Sequence, residues 1–97
     1  DLWVKALALQ SADGNRGVVV TSDLLGLPRA MNDRICAALK ERCGLDRAEV
    51  MLTASHTHSG PVLQDALYDI YPLDEDQIKR IEAYSEALEK TVVATVA

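Results

Sequence analysis

The sequence holds only two cysteines and two histidines in 97 residues, and it has no long apolar run, no basic stripe and no internal repeat. Each absence excludes something. No uninterrupted apolar stretch approaches the roughly 20 residues that a bilayer-crossing helix needs, so the chain is expected to contribute no transmembrane segment. The opening DLWVKALALQ lacks a basic stretch followed by an apolar core, so it is not a signal peptide, and any such leader would lie upstream of residue 1. Ten basic residues stand against fifteen acidic ones, a net charge of −5. The first 48 residues carry seven Lys/Arg and six Asp/Glu, and the remainder carry three and nine. Without clustered cations to neutralise phosphates, nucleic acid is not an expected partner. The acidic half reads as a solvated helix face. Cys36 and Cys43 are seven residues apart in an apparent helix, about 10 Å along its axis. That exceeds the roughly 7 Å a disulfide tolerates, so they read as small apolar side chains, and they leave the compartment open. With no low-complexity linker, the chain makes one domain at most, near the lower size limit for a self-sufficient core.

What is present alternates between strand and helix patterns. Residues 2–10 and 18–26 have strand composition, and the SADGNRG between them supplies Gly14 and Gly17 for the positive-φ positions of a hairpin. Val18-Val19-Val20 reads as a strand covered on both faces, hence central in its sheet. Pro28 breaks the chain, Asn32 is a suitable N-cap, and Ile35, Cys36, Leu39 and Cys43 recur at helical spacing up to Gly44. This predicts a helix over 33–43. A third, buried strand is expected over 48–55. The HTHSGPVLQDALYDIYP that follows reads as loop, with Asp65, Tyr68, Asp69 and Tyr71 as ordinary loop residues. Asp74, with Gln77 as capping-box partner, opens a second helix whose apolar stripe is Ile78, Ile81, Tyr84, Leu88 and Val92. Glu82, Glu86, Glu89 and Lys90 fall off that stripe. The expected fold class is α/β: a mixed sheet in which an N-terminal β-hairpin leads into a right-handed βαβ unit, in the order β-β-α-β-α. The helical pattern still runs at residue 97, which suggests a piece of a larger fold.

In open α/β sheets, sites collect beyond the carboxyl ends of parallel strands. Asp23 ends the second strand, and His56, Thr57, His58 and Ser59 follow the third, so a carboxylate and both imidazoles share one rim. Histidines at i and i+2 of extended chain project to the same side with Cα atoms about 6.6 Å apart, so both could reach one ion. Alternatively one binds metal and the other moves a proton or stabilises an oxyanion, or the pair only caps the sheet edge by hydrogen bonding. Gly60-Pro61 turns the chain and leaves room for a ligand. Asp23 is read first as a loop or capping carboxylate. Its place on the neighbouring strand end also makes it a candidate to orient an imidazole. Two common hydrolase patterns do not fit. Where H-x-H-x-D-H enzymes have Asp and His, this chain has Gly60 and Pro61, and barrel amidohydrolases carry H-x-H on their first strand.

VVVTSDLLGL together with MLTASHTHSGP resembles the N-terminal domain of the neutral/alkaline, non-lysosomal ceramidase family. The matching residues are Ser22, Asp23, Leu24, Leu25 and Gly26, then Gly44-Leu45, then Ala54 through Pro61, with Ser55 where the family usually has Thr. The resemblance covers about residues 2–62. Beyond that it extends only to helical character. It implies that residues 1–97 form a single partial domain, the N-terminal portion of a larger α/β catalytic domain. It implies a zinc-dependent hydrolase cleaving the N-acyl amide of ceramide, with Zn2+ as cofactor and His56 as a ligand. His58 would act catalytically beside the substrate, and Ser59 and Gly60 would form the substrate-binding wall. The family's remaining ligands (a second His, a Glu and a Tyr) and its proposed nucleophilic serine lie far downstream, so the remainder of the catalytic domain is an expected partner. These 97 residues alone are therefore expected neither to hold zinc tightly nor to hydrolyse ceramide. Family members are secreted or face outward at membranes. Two other readings stay open: a related hydrolase of a different amide or ester, and a non-catalytic domain that has lost the distant ligands.

Overall fold

A computed structural model describes residues 1–64 and 73–97. Strands β1 (Val4–Gln10) and β2 (Arg16–Ser22) form an antiparallel hairpin, and β3 (Val50–Leu52) pairs in parallel with β2. The sheet order is β1-β2-β3, so β2 is central as its valine run predicts, but the expected cover on both faces fails: Val18 and Val20 are buried, whereas Val19 faces the other side with Leu7 and Met51. The hairpin closes where Ser11 N–H donates to the Asn15 carbonyl and Gly14 N–H donates to the Ser11 carbonyl. Gly14, at φ 92°, supplies the left-handed turn position, whereas Gly17 has no positive φ and is the second residue of β2, paired with Leu9. Asp65, Tyr68, Asp69 and Tyr71 lie outside the described residues.

Helix α1 (Arg29–Cys43) starts four residues before its expected beginning. Proline lacks the N–H that a helix start leaves unpaired anyway, and Pro28 sits as N-cap at φ −60° with its carbonyl accepting from Asn32 N–H. Burial of Met31 rewards the extra turn. Met31, Ile35 and Leu39 then form an i, i+4 stripe, each at most 1% exposed. The helix ends as expected at Gly44, in the left-handed region at φ 69°. Helix α2 (Glu75–Val96) begins with the expected capping box, in which Asp74 and Gln77 exchange hydrogen bonds. Its buried stripe is Ser85, Leu88, Val92 and Val93, while Tyr84 is exposed. Glu89 leaves the solvated face to take a bidentate bond from Arg34 of α1. Both cysteines are free.

Val18 and Val20 face these helices and complete a core with Leu24, Leu45, Leu63 and Leu88. The other sheet face is open. Leu7, Val19 and Met51 lie in one row across the three strands, with Leu7 and Met51 about 60% exposed. The expectation of a fully buried third strand therefore fails at Met51. Alternation sends it to the uncovered face, where no element of the described chain packs. Charged ties gather at the rim where β2 and β3 begin. Lys40 hydrogen-bonds Asp46 and holds its carboxyl below the usual range, and Asp33 hydrogen-bonds Arg47 and raises its guanidinium. No helix of the described residues is long and apolar enough to cross a membrane.

Candidate functional site

The opposite rim carries the histidines. Pairing between β2 and β3 continues past the regular ladder: Thr53 N–H donates to the Val20 carbonyl, Ser55 N–H to Ser22, and His56 N–H to Leu24. Side chains reinforce this zipper, since the buried Ser22 hydroxyl donates to the Thr53 carbonyl at 2.7 Å and the Thr53 hydroxyl to Val20 at 2.8 Å. The chain then breaks from extended geometry. His56 stands at φ 63°, the left-handed region that few residues other than glycine adopt and that costs on the order of 1–3 kcal/mol. It is the sole described non-glycine residue with positive φ.

Two carbonyls hold it there. The Leu24 carbonyl takes the backbone N–H at 2.9 Å, and the Leu25 carbonyl lies 2.8 Å from the imidazole Nδ1. A carbonyl oxygen only accepts, so Nδ1 carries the proton and donates it. In the neutral ring this leaves the Nε2 lone pair free, the arrangement in which a histidine binds metal while its other nitrogen is fixed by a backbone carbonyl. The i, i+2 expectation of two side chains on one extended strand is thus replaced by a turn, and the turn still brings the rings together. The imidazoles of His56 and His58 meet edge to face, with centroids 4.7 Å apart and planes at 86°. Both side chains are exposed.

Ser59 follows in the same turn, exposed, with its N–H donating to the Thr57 hydroxyl at 3.2 Å. Gly60 lies where a Cβ would stand 3.3 Å from both the Asp23 carbonyl and the Thr57 methyl. The absent side chain is what lets this turn close against the end of β2. Asp23 shares the rim, as its strand position requires, but its carboxylate accepts the Trp3 N–H at 2.9 Å while its own N–H donates to the Trp3 carbonyl. It thereby pins the start of β1 to the end of β2. The group orienting His56 is the Leu25 carbonyl. Among the described residues, no three His, Cys, Asp or Glu side chains converge as a metal site.

Three contributors escaped the sequence. The Leu24 and Leu25 carbonyls could not be read from side-chain types, because any residue supplies a carbonyl. Ser85 left a signal: it lies four residues after Ile81 and three before Leu88, a hydroxyl on an apolar stripe. Fully buried, it accepts the Gln64 N–H at 2.8 Å and fixes the segment leaving the histidine turn, where Leu63 is buried beside it.

The arrangement defines an α/β layer with a paired-histidine corner at the carboxyl ends of its parallel strands, where open α/β sheets place their ligand sites. Over 62 residues the chain is 39% identical to a neutral ceramidase of Pseudomonas aeruginosa, an alignment taking in 61% of this chain and 9% of that protein. The chain therefore corresponds to less than a tenth of that relative's length. No protein-family model and no solved structure matches it.

Proposed function

We propose that this chain supplies one corner of the active site of a zinc-dependent hydrolase that cleaves the N-acyl amide bond of ceramide or a closely related lipid amide. The observation that carries the proposal is the seating of His56. A strained residue with its Nδ1–H tied to a backbone carbonyl offers Nε2 to a metal, and it does so within a stretch similar to a neutral ceramidase. The donor chemistry fits zinc, which accepts neutral imidazole nitrogen readily. His56 would hold the ion, with the remaining ligands coming from the remainder of the catalytic domain. Bound zinc would polarise the amide carbonyl and make its water a better nucleophile.

The chain's own residues do the rest. His58, in ring contact with His56, would donate to the developing oxyanion or move a proton. Ser59 and Gly60 line the wall where the acyl group lies, and Gly60 keeps that wall close to Asp23. Asp23 acts through the backbone: by pinning Trp3 it steadies the peptide whose carbonyls seat His56.

The decisive measurement is hydrolysis of ceramide and of simple N-acyl amino compounds by the full-length protein, with and without a zinc chelator. We expect ceramide cleavage, its loss on chelation, and a fall in kcat/KM of at least about a thousandfold in His56→Ala, since loss of a ligand undoes the metal's contribution. Cleavage of the simple amides or esters alone would replace the lipid substrate. No zinc-dependent hydrolysis at all would leave a non-catalytic domain.

A further inference from the structure

The two imidazoles of the turn are held very differently. His56 is fixed by two carbonyls, its backbone N–H on Leu24 and its Nδ1 on Leu25. Among the described residues no hydrogen bond holds the His58 imidazole. It is exposed, and its ring partner is His56, at a centroid separation of 4.7 Å. Such a side chain has little besides its own backbone to fix where it points, because backbone dihedrals decide which rotamers are open to it.

That backbone is set by the residue between the histidines. Thr57 is half-buried while both its neighbours are exposed. Its hydroxyl accepts the Ser59 N–H at 3.2 Å, closing an i to i+2 side-chain turn with His58 at its centre. Its γ-methyl faces Gly60, 3.3 Å from where a Cβ would stand there. Both groups hang from one Cβ, and a β-branched side chain is stiff at χ1, so seating the methyl aims the hydroxyl. We infer that Thr57 is a positioning residue of the proposed hydrolase: its hydroxyl fixes the backbone of His58 so that the His58 imidazole stays against His56. The inference rests on the hydrolase reading above and deepens it, since it assigns the placement of His58 to a side chain whose own polar atom is occupied by the backbone.

Packing alone would be a lesser role, and the methyl fills it, at the corner where Gly60 meets the Asp23 carbonyl and Leu24. The hydroxyl does something else, because its hydrogen bond spans His58 and no other residue. Losing that bond frees the dihedrals of His58 and leaves untouched the two carbonyls that seat His56. Misplacing a catalytic group by about 1 Å can cost about a hundredfold in rate. An exposed hydrogen bond contributes far less than that to folding. The mark of the proposed role is therefore a loss of turnover out of proportion to any loss of stability. Valine keeps the methyl without the hydroxyl and serine keeps the hydroxyl without the methyl, so the two parts can be separated.

The test uses the full-length protein, with ceramide as substrate and bound zinc measured in each variant. Thr57→Val should lower kcat about tenfold to a hundredfold, with KM and zinc content unchanged. Thr57→Ser should keep kcat within about threefold of the parent, the small loss reflecting a freer χ1. In thermal unfolding the order should invert, with Thr57→Val the more stable of the two because it keeps the packed methyl. Activity that follows stability, with serine the poorer enzyme, overturns the inference. In a His58→Ala background, Thr57→Val should change kcat by less than about twofold, since the residue it acts through is gone. An undiminished loss there also overturns the inference. Failure of the hydrolase reading shows separately, in crystal structures that do not depend on activity. Thr57→Ser should keep the edge-to-face imidazole pair and Thr57→Val should lose it. A pair unchanged in Thr57→Val overturns the inference. A pair lost there, in a protein without zinc-dependent hydrolysis, sinks the hydrolase reading and leaves the hold of Thr57 on His58 standing.

Discussion

Under α1 and α2, Val20, Ile35 and Leu39 are at most 1% exposed, and they sit in elements whose backbone any L-residue adopts. A few residues away, at the carboxyl rim of the same sheet, His56 and His58 stand in solvent, and His56 is held in a conformation suited to glycine. The first region is consistent at every level, with pattern, propensity and packing pointing the same way. The second violates local preference and is held by hydrogen bonds from its surroundings. Such violations concentrate where geometry is needed for chemistry, and the surrounding structure supplies the stability they give up.

The contrast breaks most visibly if the core is not what stabilises the fold. Leu39→Ala removes a fully buried side chain at the centre of the α1 stripe and should cost about 2–5 kcal/mol in urea unfolding. For so small a domain that is enough to unfold much of the population. A loss below about 1 kcal/mol would mean that the helix layer is loosely packed and no firmer than the rim.

A smaller effect is expected at the joint between the regions. Ser85→Ala keeps the helix but leaves the Gln64 N–H without its buried acceptor, which should cost about 1–3 kcal/mol. The accompanying change should be local: hydrogen exchange at Gln64 and through the Gly60–Leu63 segment should speed up while amides of β2 stay protected. Uniform acceleration would show that Ser85 serves the core as a whole and has no particular hold on the histidine turn.

The two regions also differed in how far they could be read from sequence. The core side was legible because periodicity reports it directly. The valine run marked the central strand, Ile35 and Leu39 marked the helix, Gly44 its end, and Asp74 with Gln77 the start of the next. The misreadings there were of extent: Pro28 starts α1 earlier than Asn32 would, and Met51 faces outward because nothing in the described chain covers that side. At the rim, side-chain identity revealed which residues gather but not how they are held. His56, His58, Ser59, Gly60 and Asp23 were all placed at one sheet end by topology. The left-handed turn at His56 and its two carbonyl partners were invisible, since histidine's enrichment at positive φ is too weak to single out one position and backbone carbonyls carry no sequence signature.

The smallest expected effect tests that hidden feature most directly, and it does so by a sign. At an ordinary exposed position in regular structure, glycine is about 0.5–1 kcal/mol less stabilising than alanine, because it orders a freer chain. At position 56 the order should reverse, since a Cβ in the left-handed region costs about 1–2 kcal/mol and glycine has none. His56→Gly and His56→Ala both lose the bond from the imidazole to the Leu25 carbonyl, so that loss cancels between them. What remains should leave the glycine variant about 1 kcal/mol the more stable in urea unfolding. Equal stability, or alanine the more stable, would mean that residue 56 is not held in the left-handed region in solution. The rim would then be as relaxed as the core, and the seating that presents Nε2 would lose its foundation.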